Sequence, residues 1–444
     1  MSMILNHLKN IFAVKHLKNK IVMTLMLVLV YKLLSVIPVP GVNTSALVDV
    51  MKDNQGLEFF GALMWWWLKS FSIILMGLSP YINALIIIQL LGVIIPQLEN
   101  IKKEWEAGQR KINKFTRFLT LPLAFVQSYG MILLLNTLAG WSIIDVSNTG
   151  IVLMAMTIIT AGTMFLVWLW EVMTEFGISN GISVIISASV LSWIPGYIAG
   201  YFPSDSGTFV DTITGAFTNS EGFAGLSSWL SFLIILVLTV AVIYVIVKFT
   251  EWYRKIPVIY TRTGREEKSF FPIKVNQAGM VPIIFAVSLI TFPSILWSVL
   301  EKTWNTSGIA EFLKNNFSFN NPSWMYILIY FVLVILFAYF YVSITFNTEE
   351  IAESIQKRGG YIPGIRPGAE TAEYLSKVSS HLNLFGGGFL ALIAVFPYIM
   401  QKFVWTQVNF IVSWAGLIII VSVVLELVRQ IDSEMQMYDY KKFK

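Results

Sequence analysis

Side chains able to do chemistry are nearly absent from the parts of this chain where a reaction could be sheltered. The sequence holds no cysteine and three histidines, so disulfides and thiolate metal sites are excluded. His7, His16 and His381 lie in or beside polar segments and read as solvated residues rather than metal ligands. Glu171, Glu175 and Glu426 stand near the ends of apolar runs, and Lys32 lies close enough to the end of its run to snorkel. No Ser/His/Asp set, paired-carboxylate site, HExxH or phosphate-binding glycine loop occurs, and Gly177-Ile178-Ser179-Asn180-Gly181 matches no nucleotide motif. Membrane enzymes and ion-coupled transporters place ionisable groups near the bilayer midplane. Their scarcity here points to a passive or partner-driven conduit with no catalytic residue and no cofactor.

The elements that must build such a conduit are ten apolar runs. They cover Lys20–Ile37, Phe71–Ile95, Phe115–Leu138, Ile151–Trp170, Gly181–Tyr201, Leu226–Val247, Ala278–Leu300, Ser323–Phe346, Phe385–Lys402 and Phe410–Val428. A hydrocarbon core of about 30 Å needs about 20 helical residues to cross it. Lipid offers backbone groups no hydrogen bonds, so spans are helices or closed barrels, and these runs are too long and too continuously apolar for barrel strands. The composition agrees: 56% hydrophobic and 13% charged, where soluble domains carry roughly 25% charge. The expected fold is an all-α polytopic membrane protein of ten transmembrane helices. Five spans at 20–201 and five at 226–428 divide it into two halves of opposite topology. An external loop at 202–225 separates them, with an N-terminal segment at 1–19 and a tail at 429–444. The polar start at 1–19, followed by a run too long for a signal h-region, predicts no cleavable signal peptide.

Charge sets the orientation. With the N-terminus inside, 25 of the 31 lysines and arginines fall in cytoplasmic segments, as the positive-inside rule requires. Both termini are then cytoplasmic. The net charge of +5 is a sidedness signal with an added pull toward anionic lipid or an acidic partner. Two inside connections, 248–274 and 347–381, are long, charged and rich in turn residues, and read as docking surfaces. The string Gly359-Gly360-Tyr361-Ile362-Pro363-Gly364-Ile365-Arg366-Pro367-Gly368 suits a rigid loop tip. From Gly56 to Ile95 the chain is nearly all apolar, about twice what one span needs. A half-helix at about 57–68, a turn and then a full span accommodates it.

Several motifs converge on one family. They are Ile37-Pro38-Val39-Pro40-Gly41-Val42-Asn43, Phe71-Ser72-Ile73, Ser79-Pro80-Tyr81-Ile82-Asn83-Ala84, the run from Glu171 to Ser183, Lys274-Val275-Asn276-Gln277-Ala278-Gly279-Met280-Val281-Pro282, Ile362–Gly368, and Thr371-Ala372-Glu373-Tyr374-Leu375. In order and spacing, over essentially the whole chain, this resembles the SecY/Sec61-alpha family of protein-conducting channels. The resemblance implies two pseudo-symmetric five-helix halves around a central pore, passing unfolded preproteins and releasing membrane segments laterally into the bacterial plasma membrane. It implies SecE and SecG subunits, the motor SecA or a ribosome as partners, and signal peptides as ligands.

The resemblance also assigns residues. The half-helix becomes a re-entrant plug containing Gly61, Ala62 and Leu63. The pore ring becomes Leu78 and Ile82 beside Pro80, Ile186 and Val190 after Asn180-Gly181, Ile284 after Pro282, and Ile419 in the last span. Without the resemblance each ring position reads as an ordinary packing or lipid-facing aliphatic. Gln127 and Asn276 become polar residues of a lateral gate between spans two and three and spans seven and eight. Arg366 becomes the sharpest candidate for motor or ribosome docking, with Arg254, Lys255, Arg262 and Arg265 beside it. Two stretches depart from the family pattern: Trp65-Trp66-Trp67 where smaller residues are usual, and the glycine-rich stretch from His381 to Gly388. The competing readings are an ion-coupled small-molecule secondary transporter, which the bare spans disfavour, and an accessory channel of the same type for specialised cargo, which the long loops disfavour.

Overall fold

Each of the ten apolar runs contains an α-helix. The computed structural model describes residues 15–42, 71–103, 105–139, 148–178, 180–192, 228–262, 265–303, 323–403 and 414–442, with positions 144, 146, 308, 312, 313, 316 and 317 between them. The expected half-helix at 57–68 and external loop at 202–225 lie outside those residues. The order is α1 (Lys15–Val36), α2 (Ser79–Ile94), α3 (Pro96–Lys103), α4 (Trp105–Ala139), α5 (Thr149–Phe176), α6 (Gly181–Leu191) and α7 (Ser228–Glu251). Then come β1 (Tyr253–Arg262), β2 (Arg265–Lys274), α8 (Val281–Thr303), α9 (Trp324–Thr345), α10 (Thr348–Lys357), β3 (Gly360–Tyr361), α11 (Ala369–Phe403) and α12 (Trp414–Lys442). Among the described residues, five helices are long and apolar enough to cross a membrane, and three shorter apolar ones accompany them.

The helices begin where their sequences supply caps. Asn148 accepts from the Gly150 amide and Asn180 from the Ile182 amide, and Asn347 accepts from the Glu350 amide, satisfying donors that a helix start leaves bare. Hydroxyls inside the spans are satisfied by their own helix: Thr116, Thr120, Thr160 and Thr163 each donate to the carbonyl four residues earlier. The second helix is shorter than its apolar run. Residues 71–78 form hydrogen-bonded turns, and α2 starts only at Ser79, with Pro80 in its first turn. Proline fits there because the first turn needs no amide donor.

The chain divides into two compact units. One comprises 1–219, 288–324 and 411–444. In it α4 packs on α2 and α5, α5 on α1 and α6, and α6 on α1 and α12. The other comprises 220–287 and 325–410. There α9 and α11 approach closely: Asn383 donates to the Ala338 carbonyl at 3.1 Å, and a Cβ on Gly387 would stand 2.9 Å from Ala338 Cβ. A Cβ on neighbouring Gly386 would meet the Val275 carbonyl oxygen at 2.5 Å. The glycine-rich stretch is therefore a packing surface, small residues letting backbones meet as membrane helices commonly do.

The two long charged connections fold together in this second unit. β1 and β2 form an antiparallel hairpin from Tyr253↔Lys274 to Arg262↔Arg265, and β3 pairs with the other edge of β1, giving the order β2-β1-β3. Ile256, Val258 and Ile273 of the hairpin share a core with Ile355 of α10, Ile362, and Leu375 and Val378 of α11. Burying each such aliphatic stabilises by roughly 1.5–3 kcal/mol, enough to make the connections one small folded body rather than two tethers. The proline and glycine positions predict turns here, and the strands are a finding of the structure.

Candidate functional site

The candidate pore-ring residues are apolar and mostly buried. Leu78 and Ile82 are 0% and 4% exposed at the start of α2, Ile186 and Val190 are 1% and 8% on α6, and Ile419 is 9% on α12. Ile284 is half-buried on α8. The first five belong to the first unit, and there α6 and α12, which carry three of them, are direct neighbours. Ile284 belongs to the second unit.

Leu78 is placed by the segment before α2. Val39 donates its amide to the Phe71 carbonyl at 2.9 Å, and Ile73 donates to the Ile37 carbonyl at 3.0 Å, forming a short antiparallel bridge centred on Pro38 and Ser72. Pro38 lies at the position of the bridge that needs no donor. On the other side, Gly162 of α5 lies against the Ile73 carbonyl, where a Cβ would come to 2.0 Å. Two motifs that are far apart in sequence thus form one seat for the turn that leads into α2.

The run from Glu171 to Ser183 builds the tight α5–α6 connection. Gly181 donates to Thr174 Oγ1 at 2.9 Å, and a Cβ on it would sit 2.1 Å from the Trp170 carbonyl oxygen. The Ile178 amide donates to Thr24 Oγ1 of α1 at 3.3 Å. The string Gly-Ile-Ser-Asn-Gly is therefore a helix-to-helix corner that aims α6, with Asn180 as its cap, and so directs Ile186 and Val190. Close by, the rings of Tyr81 of α2 and Trp170 meet at a tilt of 52°, centroids 5.2 Å apart, and Arg117 of α4 pairs with Glu171 at 3.0 Å. This ion pair, which the sequence reading did not single out, ties α4 to α5.

The two gate candidates are buried amides with unspent hydrogen-bonding capacity. Gln127 is 4% exposed and its Oε1 has no partner. Asn276 is 5% exposed, its Oδ1 accepts from the Gly279 amide at 2.9 Å, and its Nδ2 has no partner. Gln277, next to it, accepts from Ser379 Oγ at 2.9 Å while its Nε2 also lacks a partner. Gln277 directly follows Asn276 in the same motif. Gln127 lies in the first unit, and Asn276 and Gln277 lie in the second.

Of the docking candidates, Arg366 has a hydrogen-bonded backbone and an exposed side chain. Its amide donates to Glu370 Oε2 at 3.4 Å and its carbonyl accepts from Thr371 Oγ1 at 2.8 Å. Gly364 and Gly368 flank it at φ +81° and +105°, values that favour glycine. The guanidinium, 87% exposed, reaches Glu370 only at 3.9 Å. Arg254 and Lys255 are exposed and, being adjacent on a strand, point to opposite faces of the hairpin. Arg262 and Arg265 are the last paired positions of the hairpin, on either side of residues 263–264. Gly61, Ala62 and Leu63 lie outside the described residues. Among those residues no group of histidine, aspartate or glutamate is arranged to hold a metal ion.

A bundle of apolar helices with few ionisable groups suits a membrane channel better than a catalyst. The comparisons place it within that class. The family model for SecY matches residues 72–428. A protein translocase subunit SecY of Staphylococcus aureus (strain NCTC 8325 / PS 47) is 36% identical over 448 residues, covering 98% of each chain. A solved structure described as showing that the plug domain of the SecY protein stabilises the closed state and maintains a membrane seal aligns with TM-score 0.65 at 18% identity, over 94% of this chain and 92% of that one. Sec61 in a canine ribosome–channel complex from the endoplasmic reticulum aligns with TM-score 0.58 at 16% identity, with the same coverages. The chain belongs to the SecY family.

Proposed function

We propose that this chain is the pore-forming subunit of a bacterial protein translocase. It passes unfolded preproteins across the plasma membrane and releases signal peptides and membrane segments sideways into lipid. The observation that carries this reading is family membership across nearly the whole chain, joined to spans nearly bare of the ionisable groups that couple a solute to an ion gradient. The ring of Leu78, Ile82, Ile186, Val190, Ile284 and Ile419 closes by dewetting, since a narrow apolar neck disfavours water and ions. Aliphatic side chains on separate helices yield to a threaded polypeptide because no bonded network has to break.

The same reading takes residues 20–201 and 226–428 as the two halves, with both termini in the cytoplasm, in keeping with the charge bias. A plug at Gly61–Leu63 seals the outer side, and the buried amides of Gln127 and Asn276 line the lateral gate. SecE and SecG flank the chain within a membrane that includes anionic lipid. The body built from β1–β3, α10 and the start of α11 docks SecA or the ribosome through Arg366, with Arg254, Lys255, Arg262 and Arg265 adding electrostatic attraction. The canine relative's ribosome complex supports that last step.

Reconstitution tests the reading. Proteoliposomes holding the chain with SecE- and SecG-type subunits import an unfolded precursor only when the motor and ATP are added. Uptake of a small solute by the chain alone, without precursor import, would establish the transporter reading instead.

A further inference from the structure

The chain is clamped just before α8 begins. The Val275 amide donates to the Trp252 carbonyl at 2.9 Å. The Val275 carbonyl oxygen lies against Gly386 of α11, where a Cβ would come to 2.5 Å. Gln277 accepts from Ser379 Oγ of α11 at 2.9 Å. Ala278 is buried in a cluster with Ala338 and Val342 of α9. Hydrogen bonds and close packing thus fix residues 275–278 to α9, α11 and the residue that follows α7.

Gly279 is held differently. Its φ is +63°, a left-handed value that favours glycine, and a Cβ added there meets nothing within 4 Å. Backbone conformation, and not lack of space, calls for the glycine. The helix proper starts beyond it: the Ile283 and Ile284 amides donate to the Met280 carbonyl at 3.2 and 3.4 Å. Among the described residues, the side-chain hydrogen bond that closes the turn runs from the Gly279 amide to Asn276 Oδ1 at 2.9 Å. The amides beside it are not saturated. Asn276 Nδ2 and Gln277 Nε2 are both buried without a partner. A buried donor left unpaired is a cost of this arrangement, and native structures keep such groups where strain is stored.

We infer that residues 276–279 form a latched joint. Gly279 is the pivot on which the first turn of α8 swings, and Asn276 is the latch that holds that turn where it stands. Hinges are short, element-terminal segments that absorb a change in backbone dihedrals, and glycine does so at the least steric cost. The clamped side of the joint includes α11, and the free side carries Ile284, a proposed ring residue. Releasing the latch moves Ile284 while residues 275–278 keep their contacts. Asn276 is thereby a positioning residue that acts through the backbone of Gly279. The inference rests on the gate reading of Asn276 for its part in transport, and the swing itself does not depend on what the chain conducts.

The chain contains no cysteine, so spin labels can be placed without background. The purified full chain in lipid nanodiscs carries them at His381→Cys of α11 and Leu289→Cys of α8, both exposed positions, and pulsed electron resonance reads the distance between them. The parent shows one major distance. Asn276→Ala is expected to raise the population at a second distance about fivefold, the effect that one hydrogen bond of ordinary net strength has on an equilibrium. Asn276→Asp keeps an acceptor for the Gly279 amide and is expected to match the parent. Gly279→Ala, strained at positive φ, is expected to raise the second population, and Gly279→Asn, which tolerates that region, to leave it low. If Asn276→Ala does not fold, the two Gly279 variants make the same comparison. A single unchanged distance in Asn276→Ala and Gly279→Ala overturns the inference, as does an equal shift in Asn276→Asp. Precursor import is measured on the same variants. A second distance with unaltered import upholds the joint and counts against the gate reading, so the two fail separately.

Discussion

The Val39 amide donates to the Phe71 carbonyl at 2.9 Å, joining the end of α1 to the turn that precedes α2. Phe71 is fully buried and takes a left-handed backbone conformation, φ 43°, which is uncommon for a residue with a side chain. The strain is held by what surrounds it: the bridge to Val39 on one side and the glycine surface of α5 on the other. This seat places Leu78 and Ile82, two of the proposed ring residues.

Gly162 is the test of that seat. Alanine there puts a Cβ 2.0 Å from the Ile73 carbonyl oxygen, a clash with backbone that no rotamer relieves. Gly162→Ala is expected to destabilise by about 1–3 kcal/mol, the range for overpacking. Gly92 of α2 meets nothing within 4 Å of its added Cβ, so Gly92→Ala is expected to be neutral or to stabilise by about 0.5–1 kcal/mol. Thermal unfolding in detergent separates the two, and a stable Gly162→Ala would show that the turn has room to move.

The outline of this fold is legible in the sequence and the packing inside it is not. Hydropathy marks apolar runs that each contain a helix, because lipid makes one demand of all of them. The hairpin was hidden because Pro257, Pro272 and the many charges of 248–274 resemble a loop. Its one clear mark is the glycine-containing pair Thr263-Gly264 between two runs carrying β-branched and aromatic residues. Gly162 carried no local signal, since its role depends on Ile73, a residue distant in sequence. Arg366 stands out in the sequence as a docking candidate because proline and glycine fix its surroundings locally, which is what sequence reports best.

The ring makes an electrical prediction. Replacing Ile82, Ile186 and Ile284 together with asparagine or glycine removes the apolar neck and lets it stay wet. Planar-bilayer recordings of the resting channel are expected to show a steady ion leak. The same triple change at the exposed aliphatics Leu25, Leu29 and Leu33 of α1 is expected to leave the resting membrane sealed. Equal conductance in both variants would remove the ring assignment.

The gate amides differ in how completely they are satisfied. Gln127 Oε1 is buried without a partner, and such an atom costs about 1–3 kcal/mol. Gln127→Leu is therefore expected to leave stability unchanged or raise it. Asn276→Leu strips the Gly279 amide of its acceptor and is expected to lower stability by about 1 kcal/mol. Unfolding temperatures for the two variants in one detergent give the comparison. A loss in Gln127→Leu as large as in Asn276→Leu would mean that its amide is engaged after all.

Arg366 separates docking from folding. Its guanidinium is solvent-exposed, and its one ion contact, to Glu370, is long, so that pair contributes well under about 1 kcal/mol. The hydrogen bonds that fix the tip run through the backbone of Arg366 and survive any side chain. Arg366→Glu creates a like-charged pair with Glu370 one helical turn away, a penalty of a few tenths of a kcal/mol. The variant is expected to unfold within a degree or two of the parent yet to lose most motor-driven import of precursor in proteoliposomes. Arg366→Lys keeps the charge and loses the planar fork, so an intermediate rate indicates bidentate recognition by the partner. Full import by Arg366→Glu at native stability would move the docking role elsewhere on the hairpin body, with Arg254 the next residue to reverse.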